Sequence, residues 1–231
     1  TWGGARKGAG RKPKGARAGV VHSKRPKLSS HHPVHVTVRL RADVGSMRAS
    51  RRFRVIRAAL GKTRAALGMT VVHFSVQKDH LHLLVEAKSE AGLSRGMQGL
   101  GIRLAKRLNF ALDRRGAVYA DRYHARHLRS PLEVRRALIY VLNNHRKHGA
   151  TAPHCNALPN LIDGCSSAAL FDGWRKRPDF ISPKHAADLL QRDARDGPHS
   201  PVRPARSWLL RVGWRRHGLI HPEEAPVTTP R

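Results

Sequence analysis

Acidic residues are scarce in this chain: 15 Asp and Glu stand against 45 Lys and Arg in 231 residues, a formal net charge of +30. That imbalance suits a polyanion, because basic side chains that displace condensed counterions from a nucleic acid backbone gain at least non-specific affinity. Charge alone implies no catalysis. Aromatic residues are also few, at 5%, which argues against a platform that works mainly by stacking bases. Only Cys155 and Cys165 are present, too few for a disulfide framework. Reduced thiols are expected, with a zinc site sharing His148 and His154 as the weaker alternative. No apolar run approaches the length of a membrane span, and the start lacks the apolar region of a signal peptide. The expectation is a soluble cytoplasmic protein, nucleoid-associated through its charge, with no membrane partner.

Three parts follow from composition and pattern. Residues 1–34 hold nine Lys or Arg, no acid, and Gly/Pro punctuation, so a flexible basic arm is expected. Arg11, Lys12 and Lys14 would lie along phosphates or enter a minor groove; a solvated tail is the bland alternative. Residues 35–149 carry the regular patterns. Val36, Val38 and Leu40 alternate with His35, Thr37 and Arg39 as in a half-buried strand. Ser50 can cap a helix with apolar positions Phe53, Ile56, Leu60 and Leu67, and Gly68 suits its end. A hairpin follows, Val72, Phe74 and Val76 on one strand and Leu81, Leu83 and Val85 on the next. Its other face carries His80 and His82 toward solvent. Leu93, Met97, Leu100, Leu104, Leu108 and Leu112 stripe a second helix, whose Gly96, Gly99 and Gly101 are costly unless it packs very closely on the sheet. An extended piece over residues 118–128 leads to a third helix from about Pro131 to His148. The order strand, helix, strand, strand, helix, short strand, helix predicts an α+β fold of ferredoxin-like (RRM-like) type. Its antiparallel sheet has helices on one face. Residues 150–231 read as a loop-rich extension, in which Ser207–His217 is a short terminal helix docking on the core or a DNA-contacting element.

His80-Leu81-His82 is the most informative motif. Two histidines one residue apart on a strand point to one face, about 7 Å apart, so both can reach one divalent metal while the leucine enters the core. On the third helix Tyr140 and Asn144 are four residues apart and share a flank. If that helix packs beside the hairpin, Asn144 could be a third ligand and Tyr140 a nucleophile. A tyrosine phenol is protonated at neutral pH and needs a proton acceptor or favourable electrostatics. Arg103, Lys106, Arg107, Arg114 and Arg115 could line a DNA path or be solvated charges. Tyr123, beside Arg122, His124, Arg126 and His127, reads better as part of a phosphate-binding segment than as the nucleophile.

The His80-Leu81-His82 pair, Tyr140-Val141-Leu142-Asn143-Asn144, the basic arm and Asp121-Arg122-Tyr123 together resemble the HUH nucleases. The likeness is to the one-tyrosine IS200-like transposases and, more closely, the REP-associated tyrosine transposases, over roughly residues 33–149. The resemblance implies a Mg²⁺ or Mn²⁺ site at His80, His82 and Asn144, with Mn²⁺ the more natural partner of imidazole. It also implies attack by Tyr140 on single-stranded, hairpin-containing DNA through a 5′-phosphotyrosine, by a monomer or homodimer. His145 is a departure, since many relatives carry proline there; its position on the buried stripe points to packing. Residues 84 and 82 lack the third histidine of a histidine-triad hydrolase and the threonine of a His-x-Thr phosphoesterase, and the deaminase motifs are absent. The alternative function is a non-catalytic nucleic-acid-binding regulator that keeps the fold.

Overall fold

The computed structural model describes residues 28–63, 68–147, 161–178, 180–181 and 200–227. Arg11, Lys12, Lys14, Leu67, His148, His154 and Cys155 lie outside them. Strands β1 (Val34–Arg39), β2 (Met69–Val76), β3 (His80–Ala87) and β4 (His124–His127) alternate with helices α1 (Ser50–Gly61) and α2 (Glu90–Ala111). The strands form one antiparallel sheet in the order β2-β3-β1-β4. This is the expected ferredoxin-like α+β arrangement, and it puts the histidine strand β3 beside β1 in the middle of the sheet.

Alternation decides which side chains meet. Val36, Val38, Leu81, Leu83 and Phe74 face one side and bury against Phe53 and Ile56 of α1 and Leu93, Leu100 and Leu104 of α2. Each such side chain taken fully from water contributes roughly 1.5–3 kcal/mol. The close approach expected of α2 is found at Gly96, where a Cβ would stand 2.4 Å from Cβ of Met69, but not at Gly101, where it would meet Tyr119 Oη at an ordinary 3.7 Å.

The first helix differs from expectation at both ends. Ala49, in extended conformation, occupies the N-cap without a side-chain bond, and Ser50 is already helical. The helix stops at Gly61 because the chain turns: Thr63 N–H bonds Leu60 O at 2.8 Å and its hydroxyl reaches Ala59 O. Gly68, at φ +82°, instead leads into β2, where only glycine adopts that backbone cheaply.

Helix α3 (Pro131–Leu142) opens with a full capping box, Ser130 with Glu133, and with Pro131 in the first turn. The continuous helix expected to reach His148 is interrupted. Asn143 leaves the helical region, and a separate turn, α4 (Asn144–Lys147), follows. The cause is tertiary: the Asn143 amide donates to His221 O at 3.2 Å and Glu224 O at 2.9 Å.

The second sheet face is not open to solvent, which corrects the expectation for His82. Helix α3 covers it through Val134, Leu138, Val141 and Leu142, joined by Leu84, Phe171, Leu209, Leu210 and Trp214. A bulge between Val71 and His73 fits this, since the extra residue Val72 also enters that second core. The Ser207–His217 unit docks here, as α5 (Trp208–Arg211) and a tight turn at Gly213–His217. Arg135 of α3 holds the residues that follow this unit with a bidentate pair to Glu224, at 2.6 and 2.9 Å, and with bonds to Gly218 O and Leu219 O. Among the described residues no helix is long and apolar enough to cross a membrane.

Candidate active site

Register builds the site across the strands. Ser75 of β2, His82 of β3, Thr37 of β1 and His124 of β4 are successive cross-strand partners, so they form one row on the α3 side. The next row is His73, Leu84, His35 and Arg126, and Arg39 faces His80 on the other flank.

His80 is anchored by its neighbour. Its Nδ1 lies 2.7 Å from Asp79 Oδ1, and Arg39 holds the other carboxylate oxygen at 3.1 Å. Burial pushes the Asp79 carboxyl up, but His80 and Arg39 outweigh it and hold the group below its ordinary value. A carboxylate on Nδ1 fixes the ring, and such a contact would leave Nε2 for a metal, as in metal-ligating histidines. His82, only 3% exposed, has Nδ1 3.2 Å from both His35 Nε2 and Thr37 Oγ1. When Nδ1 carries the proton, these two accept it and the buried Nε2 becomes the donor atom.

His35 was not singled out by the sequence, yet it belongs to the site. Burial first, then the charges of His124 and Arg126, lower its pKa to about 4, so it stays neutral at physiological pH. Thr37 and Asp79 were missed as well, whereas His124 had been read as part of the phosphate-binding segment around Tyr123. The alternation on β1 had placed His35 and Thr37 on the polar face, and Asp79 directly precedes the motif. What was lacking was the pairing of β1 with β3.

Tyr140 closes the group from above. Its ring stands edge-on to His82 at 4.9 Å between centroids and to His35 at 5.6 Å, and His80 and His82 are 4.7 Å apart. The structure thus brings His80, His82 and Tyr140 together within one chain. Asn144 lies past the helix break, 1% exposed, and neither Oδ1 nor Nδ2 has a hydrogen-bond partner among the described residues. His145 is buried too, and burial lowers its pKa.

The expected DNA-contacting residues divide between the two faces. Arg126 projects on the histidine side of the edge strand, with Glu133 at 3.4 Å. Arg122 and Tyr123 line a separate cleft on the helix side. Arg103, Lys106 and Arg107 lie on α2, across the sheet from the histidines. Arg114 pairs with Asp43 at 3.0 Å, and Arg115 is exposed.

Residues 30–144 match the family model described as transposase, IS200 like. No curated protein matches the chain. Among solved structures, that of a REP-associated tyrosine transposase bound to a REP hairpin is similar at 17% identity and a TM-score of 0.45, covering 56% of this chain and 75% of that one.

Proposed function

The chain belongs to the IS200-like transposase family through residues 30–144, and on that premise we propose that it nicks and rejoins single-stranded DNA beside hairpins, with Tyr140 as nucleophile. The observation that carries this reading is the Tyr140 ring packed on His82 of its own chain at 4.9 Å, with His80 adjoining. A non-catalytic binder has no need of that grouping.

In the proposed step Tyr140 Oη attacks the scissile phosphorus. The new O–P bond gives a 5′-phosphotyrosine, the bond to the 3′-oxygen breaks, and that oxygen leaves as a 3′-hydroxyl. The phenol proton passes to solvent, and the leaving oxygen takes one up. Attack of a 3′-hydroxyl on the phosphotyrosine reverses the sequence, so rejoining needs no nucleotide cofactor. His124 and Arg126, both exposed on the edge strand, would hold flanking phosphates.

A divalent cation, Mg²⁺ or Mn²⁺, fits the residues present. The buried Asn144 side chain, without hydrogen-bond partners among the described residues, would cost about 1–3 kcal/mol unless another group satisfies it. His80, His82 and Asn144 would hold the ion, and a bound ion would polarise the phosphate oxygens. Among the described residues no three His, Cys, Asp or Glu side chains gather in metal-binding geometry, so the reading needs Asn144 as the third ligand. Imidazole donors suit Mn²⁺ better than Mg²⁺.

The test uses a 3′-labelled hairpin strand from DNA flanking the gene, incubated with Mn²⁺ or Mg²⁺ and resolved on a denaturing gel. A labelled protein band is expected, absent in Tyr140→Phe and strongly reduced in His80→Ala. A band that persists in Tyr140→Phe rules out the nucleophile assignment.

A further inference from the structure

On the helix side of the sheet, a cleft of about 580 Å³ lies between α2, the β1–β3 pair and the segment Tyr119–Tyr123. We propose that this cleft takes in one unstacked base of the DNA strand and reads its identity, so that it sets sequence preference near the cut. The proposal rests on the DNA-processing reading above.

The floor of the cleft ties it to the catalytic face. Val38 and Leu81 form it and are direct cross-strand partners. Leu81 is the residue between His80 and His82, so the two sites are opposite faces of the same strand. Arg122 and Tyr123 lead directly into β4, the sheet edge. From β4 to β3 is two strand spacings, about 10 Å. A strand of DNA rounding that edge therefore covers the distance from cleft to His82 in a few nucleotides.

The lining is chemically suited to a base. Tyr119 and Tyr123 line the cleft, and aromatic rings are what bases of any type stack on. Tyr119 is fixed in advance, its hydroxyl donating to Gly101 O at 2.8 Å. Gln98 and Asp121 bring the hydrogen-bonding groups; an amide can pair with adenine and a carboxylate with the cytosine amino group. Arg122, exposed at the rim, suits the attached phosphate. An apolar floor with stacking walls does not suit a bare anion. The volume also lies within the range of small-ligand sites. With a net charge of +30, a nucleic acid strand is the polymer this surface collects.

The full chain is bound to 12-nucleotide single strands of random sequence, each carrying one central photoreactive base: 5-iodouracil, 5-iodocytosine, 8-bromoadenine or 8-bromoguanine. After irradiation the cross-linked peptides are sequenced, and yields are normalised to bound DNA. Cross-links at Met97, Tyr119 or Tyr123 are expected, stronger for one base than for the others. Gln98→Trp plugs the mouth from an exposed helix position, and Ser94→Trp does so one turn earlier. Each should cut those cross-links at least fivefold, with thermal melts checking that both variants fold. Cross-links confined to residues outside the cleft, or cleft cross-links unchanged in both folded variants, overturn the proposal. If the Tyr140 adduct still forms in that case, only the cleft assignment fails. A chain that binds none of the strands overturns the DNA reading itself, and the cleft with it.

Discussion

Replacing Arg48 by Met should destabilise the fold by about 3 kcal/mol at neutral pH, the low end of what removing one partner of a buried ion pair costs. Arg48 meets Asp163 through two bonds of 2.7 Å and also holds Val76 O at 2.9 Å. Asp163 is 2% exposed and Arg48 32%, so the carboxylate bears the larger desolvation. Among the described residues the hydrogen bond left to the carboxylate in the variant is that from Cys165 N–H at 2.9 Å. In the native chain burial pushes the Asp163 carboxyl up, but the Arg48 bonds and charge outweigh it and hold the group below its ordinary value. A lowered carboxyl stabilises the fold above the unfolded pKa, near 3.9, and loses that stabilisation as pH falls through the folded value. Without Arg48 burial dominates and the shift reverses, so the variant is penalised most at neutral pH and less as its carboxyl takes up a proton. His145 is the other ionisable neighbour, and burial lowers its pKa. Urea unfolding at pH 7 and pH 5, followed by the fluorescence of buried Trp214, measures both effects. Adding Asp163→Leu to Arg48→Met should recover most of the loss, since an apolar pair needs no partner charge. A loss below about 1 kcal/mol, or one identical at both pH values, would refute the reasoning.

Three further outcomes follow from the contacts described. Asp79→Asn removes the 2.7 Å carboxylate partner of His80 and should weaken Mn²⁺ binding about 10–100-fold in a calorimetric titration; unchanged affinity would argue against a metal on His80. Gly96→Ala drives a methyl to 2.4 Å from Met69 Cβ and should cost about 1–3 kcal/mol, more than the roughly 1 kcal/mol gained in helix propensity. A raised Tm would show that the interface gives way. Glu224→Ala strips the bidentate partner from Arg135 and should cost about 1–2 kcal/mol. Faster hydrogen exchange along α3 would mark the loosened helix, and unaltered exchange would show that the Arg135–Glu224 pair contributes no hold.

Local pattern carried much of the fold. The alternation at Val36-Val38 and at Leu81-Leu83-Val85, with the helical stripe Leu93 to Leu108, suffices for the strand and helix order. That order constrains the sheet to a few topologies. The His-x-His spacing and the tyrosine in the third helix were readable for the same reason, because both depend on periodicity within one element. What escaped notice depends on contacts between distant segments. The break at Asn143 comes from carbonyls 78 and 81 residues away. The covering of the histidine face needs Trp214 and Phe171, whose surroundings give no periodic signal. His35 enters the site only once β1 is known to lie beside β3. Ser50 misled because a capping residue type can equally begin a helix, and the backbone angles at Ala49 decided the matter.

The packing of Tyr140 on His82 within a single chain has an arithmetic consequence. One polypeptide supplies both halves of the proposed chemistry, so two inactive variants have nothing to lend each other. An equimolar mixture of Tyr140→Phe and His80→Ala should show no more activity than its His80→Ala component alone, and the specific activity of the native chain should hold constant on dilution. Restored activity in the mixture would mean that tyrosine and histidines are exchanged between molecules. Without such exchange, each molecule forms and resolves its own covalent bond to DNA.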